Sequence, residues 1–198
     1  MKFIETICFK NGEYQNLDLH QERINRTCFH FFGESLHKLS EALPEIDDDR
    51  KHKVRFVYDI EEQSHEQVLY VQLPIRSLQI VESNWFDYSF KYENRSTIEK
   101  LLKSAETDDI IISIDGLVTD CSYANLAFWN GEEWLTPEKP LLEGVKRATL
   151  LKSGKVKKAS IPVDQLYSFE KVSLINAMLD LGELEVPIDS ITSGPSAP

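Results

Sequence analysis

The first stretch of the chain with a clear hydrophobic rhythm is Phe3 to Phe9, which reads as a strand. Asn11-Gly12 then supplies a hairpin turn into Glu13 to Leu17, because both residues tolerate positive φ. The period changes near Asp18, a candidate helix N-cap. Ile24, Cys28 and Phe31 or Phe32 follow at helical spacing, and Gly33 interrupts them. A second helix is expected over Ser35 to Leu43, stopped by Pro44. After an acidic turn, Lys53 to Tyr58 and Gln67 to Leu73 alternate like an antiparallel pair joined by the polar stretch Ile60 to Glu66. Pro74 to Tyr88 carries no clear period and is expected to cross between domains.

The second half is dominated by short strands. A helix marked by Ile98, Leu101, Leu102 and Ala105 precedes Ile110 to Ile114, a buried strand that Asp115-Gly116 reverses into Leu117 to Asp120. Asn125 to Trp129 follows, and Asn130-Gly131 reverses it into Glu133 to Leu135, completing a β-meander. Gly144 opens a helix to about Lys152, Gly154 to Ser160 contains a short strand, and Val163 to Tyr167 is expected to be helical. Lys171 to Met178 reads as a buried strand that ends in polar residues, and Ser190 to Pro198 as a disordered tail.

Composition narrows the function classes. The 198 residues suffice for one domain or two small ones, and a hydrophobic fraction of 41% with 28% charged residues is that of a water-soluble globular protein. A net charge of -11 and a pI near 4.9 argue against a nucleic-acid partner, whose phosphates reward a basic face. No apolar run approaches the roughly 20 residues of a spanning helix, and the early charges do not suit a secretory signal, so a cytoplasmic location and no membrane partner are expected. Three cysteines, Cys8, Cys28 and Cys121, match no metal-ligand spacing and do not form a disulfide framework; no metal is expected.

The candidate chemistry lies in the meander, where Thr119, Asp120, Cys121, Ser122 and Asn125 sit together at a strand end. On local sequence alone these are turn residues bonded to their own backbone. Lys91, taken alone, is a solvated lysine before a helix; between aromatic residues it could be desolvated enough to supply a neutral amine. Arg23 is an exposed helix arginine or an anion ligand, since a guanidinium meets phosphate oxygens in two parallel bonds.

Three segments favour the functional readings together: Lys91-Tyr92-Glu93-Asn94-Arg95, Val118-Thr119-Asp120-Cys121 with Asn125, and Gly144-Val145-Lys146-Arg147. In this order they resemble the class IV aminotransferases, fold-type IV enzymes that use pyridoxal 5'-phosphate (PLP), with the nearest likeness to aminodeoxychorismate lyases. The opening HQER, His20 to Arg23, is similar to the family's helix start, and the likeness runs from Phe3 to about Ile188, in a short version without the strands that usually precede Phe3.

The resemblance implies an α+β, D-amino-acid aminotransferase-like fold, with a small N-terminal α/β domain (1–80), a larger C-terminal meander or pseudo-barrel domain (81–189) and the tail (190–198). It implies that Lys91 is the catalytic lysine that joins the cofactor, and that Asp120 faces the pyridine nitrogen where most relatives carry glutamate. Arg23, the amides of Val145 and Lys146, and Asn176-Ala177 would contact the cofactor phosphate or its surroundings. Thr6, Arg55, Arg76 and Arg95 are the candidates to meet the carboxylates of a substrate that also carries an amine, and His20 is structural. The implied activity is release of 4-aminobenzoate and pyruvate from 4-amino-4-deoxychorismate, a step of folate synthesis, by a homodimer. An aminotransferase acting on D- or branched-chain amino acids and a non-catalytic cofactor-binding homologue remain the alternatives.

Overall fold

The computed structural model describes residues 1–194 and divides into two compact units. The first comprises Met1–Gln72 and a returning segment, Phe90–Asn94; the second comprises Leu73–Ser89 and the chain from Arg95 onward.

In the first unit, β1 (Phe3–Lys10) turns through Asn11 and Gly12, both at positive φ, into the two-residue β2 (Glu13–Tyr14). Helix α1 (Leu17–Phe32) follows, and Gly33 closes it in the left-handed conformation with its amide on the Cys28 and Phe29 carbonyls. The N-cap is Asn16 rather than Asp18, which falls in the first turn, where its charge favours the helix dipole. Only Leu39–Ala42 forms the next helix, α2. The longer helix expected from Ser35 does not form: Ser35 Oγ donates to Asn25 Oδ1, and Gln21 Oε1 takes the Leu39 amide.

Strands β3 (His52–Tyr58) and β4 (Gln63–Leu69) complete a four-stranded sheet in the order β2-β1-β3-β4. The second hairpin strand therefore begins four residues earlier than the hydrophobic rhythm suggested and stops at Leu69. All seven residues of β4 are exposed, so nothing in its side chains forces a period of two; the ladder to β3 holds it. Phe3, Ile7, Ile24, Cys28, Leu39, Phe56 and Tyr58 form the core between sheet and helix, with Phe90 and Tyr92 of the returning segment packed on it.

In the second unit a nine-stranded sheet is built from the expected meander with parallel additions. Strand β5 (Leu78–Glu82) lies in the stretch that showed no period; it runs parallel to β6 (Asp109–Ile114), and Leu78 is fully buried. Helix α3 (Ser96–Lys103) presents Ile98 to Ile110 and Ile112 of β6. The chain continues through β7 (Leu117–Cys121), β8 (Asn125–Trp129) and β9 (Trp134–Pro137) to α4 (Val145–Lys152) and β10 (Lys157–Ala159), which pairs parallel with β9. Val163–Ser168 is a 3-10 helix, and β11 (Lys171–Ile175) lies antiparallel to β8 and to β12 (Glu185–Pro187).

The expected disordered tail needs correction at its start. Ile191–Ser193 forms β13, parallel to β5, and Gly194 donates its amide to Ile80. Residues 195–198 lie outside the described residues. Among the described residues, no helix is long and apolar enough to cross a membrane.

Candidate active site

In the first unit, alternation along β1 turns Phe3, Glu5, Ile7 and Phe9 toward α1, all of them buried. Glu5 is the exception in that apolar row, and it meets His20 and Arg23 from the first two turns of the helix. Arg23 Nε donates to Glu5 Oε1 at 2.7 Å and Arg23 Nη2 to Oε2 at 2.5 Å; His20 Nδ1 lies 2.6 Å from Oε2. Burial alone would raise the Glu5 pKa, but the charge and bonds of Arg23, then those of His20, hold it to about 2. Burial pushes His20 below its ordinary value despite Glu5, so the imidazole stays neutral with Nδ1 donating. Its Nε2 is buried with no hydrogen-bond partner among the described residues.

This network gives a pH expectation. A carboxylate whose pKa falls from 4.5 unfolded to about 2 folded adds stability that is complete above pH 4.5 and lost as pH falls toward 2. The loss is on the order of 3 kcal/mol by linkage. Urea unfolding should therefore show a larger drop between pH 5 and pH 3 for the native chain than for Glu5→Gln.

The returning segment extends the same sheet. Tyr92 pairs antiparallel with Phe3, the Ile4 amide donates to Lys91 O at 2.9 Å, and the Glu93 amide donates to Lys2 O at 2.9 Å. Since Tyr92 shares Phe3's side, Lys91 and Glu93 take the opposite face, where the register sets Thr6 beside Arg55. Arg55 Nη2 reaches Glu93 Oε1 at 2.8 Å across that face. The Lys91 charge is close enough to His20 to depress its pKa.

In the second unit the register brings Asp120, Asn125 and Ile175 into one row across β7, β8 and β11. Asp120 is buried, with Oδ1 accepting from Asn125 Nδ2 at 2.6 Å and Oδ2 from the Leu142 amide at 3.0 Å. Burial pushes its pKa up to about 6; Asn125, the Leu142 amide, the charge of Arg147 and the Leu141 amide oppose the rise only in part. All its direct donors are neutral amides, so among the described residues no cation bonds this carboxylate directly.

Asn125 was noted as part of the polar cluster but not as a site residue, and the structure gives it the central place. Its Nδ2 also donates to Leu142 O at 2.9 Å, tying the loop before α4 to Asp120. Gly144 lies so close that an added Cβ would stand 1.9 Å from Asn125 Oδ1. Gly144→Ala must therefore displace an amide held by two bonds, and a loss of about 1–3 kcal/mol is expected. Urea denaturation checks it, and the cost should shrink in an Asn125→Ala background.

Gly144 is the N-cap of α4 and, as a glycine, brings no capping side chain, so the Val145 and Lys146 amides are candidate anion donors. The Lys146 ammonium itself is held by Asp180. Arg147 is fully buried: Nε donates to Thr136 Oγ1, Nη1 to Glu143 Oε2 and Nη2 to Pro137 O, so it braces the loop 136–143. Asn176 follows Ile175 at the end of β11; its Oδ1 accepts the amides of Met178 and Leu179, its Nδ2 lies 3.4 Å from Tyr123 O, and Ala177 sits within that turn.

The remaining candidates are scattered within the second unit. Arg95 Nη2 donates to Ser122 O, bracing the turn between Asp120 and Asn125. Arg76 is exposed before β5, its amide on Asp108 Oδ2. The candidates thus divide into Thr6, Arg23, Arg55 and Lys91 in the first unit, and Arg76, Arg95, Asp120, Val145, Lys146, Asn176 and Ala177 in the second.

The sequence pattern that defines amino-transferase class IV matches residues 2–186. The chain belongs to the class IV aminotransferases. It is an enzyme of a PLP-dependent family, with the α+β fold of the fold-type IV transaminases. An uncharacterised protein of Haemophilus influenzae is 35% identical over 180 residues, covering 88% of this chain and 96% of its own. A Haemophilus somnus protein provisionally named 4-amino-4-deoxychorismate lyase is 31% identical with a TM-score of 0.81, covering 91% of this chain and 97% of that one. A hypothetical aminotransferase from Mycobacterium tuberculosis, in a PLP-bound form, shares the fold at 14% identity with a TM-score of 0.72, covering 96% of this chain and 81% of that one.

The residues present fit the class IV cofactor. Among the described residues no cation bonds Asp120 directly, which leaves a role for the proton of a pyridine nitrogen, and the α4 N-terminus, whose N-cap glycine has no side chain, offers amides of the kind that bind phosphate.

Proposed function

We propose that this enzyme is a PLP-dependent lyase converting 4-amino-4-deoxychorismate to 4-aminobenzoate and pyruvate in the folate pathway. The single observation that carries the reading is the 31% identity, over nearly the whole of both chains, to the Haemophilus somnus protein provisionally named for that activity. The buried Asp120 carboxylate beside the α4 N-terminus supports the cofactor part of it.

Bound PLP supplies an aldehyde for the substrate amine and a ring that withdraws electrons. The Asp120 carboxylate favours a protonated pyridine nitrogen because opposite charge stabilises the proton there. Arg23, the amides of Val145 and Lys146, and Asn176 with Ala177 are the residues that would hold the phosphate. Lys91 is the amine that would hold the cofactor, and the same side chain would take the proton from the ring carbon bearing the substrate nitrogen. The electrons of that C–H bond aromatise the ring and expel the enolpyruvyl oxygen, and protonation of the released enol gives pyruvate. Arg55 is our choice for a substrate carboxylate, since it shares its face of the sheet with Thr6 and Lys91; Arg76 and Arg95 are the lesser candidates. We further propose a cytoplasmic homodimer, which light scattering tests directly.

The deciding experiment incubates PLP-loaded protein with aminodeoxychorismate and follows 4-aminobenzoate by its fluorescence. A loaded enzyme that makes no product removes the lyase reading. If D- or branched-chain amino acids instead convert the cofactor to its amine form, the aminotransferase reading replaces it. A spectrum unmoved by either leaves a binding role.

A further inference from the structure

A cavity lies in the second unit, formed by the segment 85–89, the β6–β7 hairpin, the loop 138–141 and residues 159–161, with a volume near 520 Å³. Neither Asp120, Asn125, Asn176 nor any residue of α4 lines it, so it is separate from the cluster described above. Its size is that of a small-molecule site, within the roughly 300–1,000 Å³ range of such pockets.

Phe86, Tyr88, Leu117, Val118, Leu141 and Ile161 furnish an apolar wall, and Trp85 stands at its edge, 74% exposed. A large exposed indole has an open π-face, which attracts cations. The charged residues lining the cavity are Asp87, Asp115, Glu138 and Lys139, three carboxylates against one ammonium. All four are exposed residues, so their charges stand at the solvent side while the apolar residues lie behind them. A ligand suited to this arrangement carries an apolar, preferably aromatic, body and a positive head. An anion of the same size would meet net negative charge, and a simple metal ion would leave the apolar wall uncovered.

We propose that this cavity is a binding site for aromatic organic ammonium ions. The body lies on Phe86, Tyr88 and Leu117, and the cationic head sits at the mouth between Trp85 and the carboxylates. Leu141, a wall residue, also donates its amide to Asp120, and Thr119, another, holds β7 to β6 through Oγ1 on Ile112 O at 2.9 Å. An occupant therefore touches residues on either side of the buried carboxylate.

The test uses the full-length protein with benzyltrimethylammonium, a quaternary cation that cannot condense with an aldehyde, and phenylacetate, an anion of similar bulk. Calorimetry is expected to show saturable one-site binding of the cation, at least about tenfold tighter than the anion and weakening as salt rises. Ser160→Trp, which places an indole at an exposed lining position, should abolish binding without lowering Tm. The Asp115→Asn/Glu138→Gln variant should weaken the cation about fivefold or more and leave the anion no weaker. Equal affinity for both probes, binding that survives Ser160→Trp, or no binding because a second copy covers the cavity would each overturn the proposal. None of these readouts depends on whether the lyase reaction occurs.

Discussion

Lys91→Ala is expected to lower product formation by about a thousandfold or more, because one amine serves both as the attachment point and as the proton carrier. Borohydride treatment followed by mass spectrometry should then find no cofactor on the chain, whereas the native protein carries it on the peptide containing Lys91. The fold should survive, since it is the backbone of Lys91, through its carbonyl, that accepts the Ile4 amide, and alanine keeps that bond. A variant that retains covalent cofactor would assign the chemistry to a different lysine.

Arg23→Met should have the largest effect on stability, about 3–5 kcal/mol, because it strands the Glu5 carboxylate in an apolar interior without its partner. The loss is measured as a shift of the urea midpoint at constant slope. Adding Glu5→Leu removes the stranded charge, and the double variant is expected to recover most of the stability. That recovery separates the two roles of Arg23. If it also binds phosphate, the double variant is folded yet prefers PLP over pyridoxal, which lacks the phosphate, less strongly than the native chain, because only the α4 amides remain to hold it. A folded double variant that keeps the full native preference would reduce Arg23 to a structural ion pair.

Local chemistry explains what could be read in advance. Asn11-Gly12 and Asp115-Gly116 both occupy positive φ, and the strands on either side of each followed from that turn. The fully buried run Ile110, Ile111 and Ile112 marked a central strand, and Gly33 marked a helix end. The features missed depend on residues far away in sequence. Strand β5 shows no alternation because it is flanked on both sides by parallel neighbours, β6 and β13. Strand β13 itself is three residues of a mostly polar stretch, held by that pairing and by the burial of Ile191.

The candidate site was legible in the same uneven way. Asp120, Asn125 and Gly144 stood out as motif residues, but nothing in the order of residues says that Asn125 bonds Asp120 or that a glycine is needed because an amide oxygen would lie 1.9 Å from an added Cβ. Glu5 was invisible for a related reason. A single carboxylate in an apolar strand is read as exposed until the helix that pairs with it is placed 15 and 18 residues later.

The return of Phe90–Asn94 to the first unit has a consequence for the newborn chain. When residue 72 has left the ribosome, the sheet edge at Phe3 still lacks the strand that pairs with it, and the core lacks the rings of Phe90 and Tyr92. An emerging polypeptide in that condition presents an unsatisfied ladder beside exposed aromatic surface, the combination that invites chaperones or mispairing with a neighbour. Vectorial synthesis therefore cannot finish the N-terminal unit by itself; seventeen further residues must be made before the five that seal it arrive. A fragment ending at residue 72 should accordingly be prone to aggregation, and supplying Phe90–Asn94 on a short linker should suppress it.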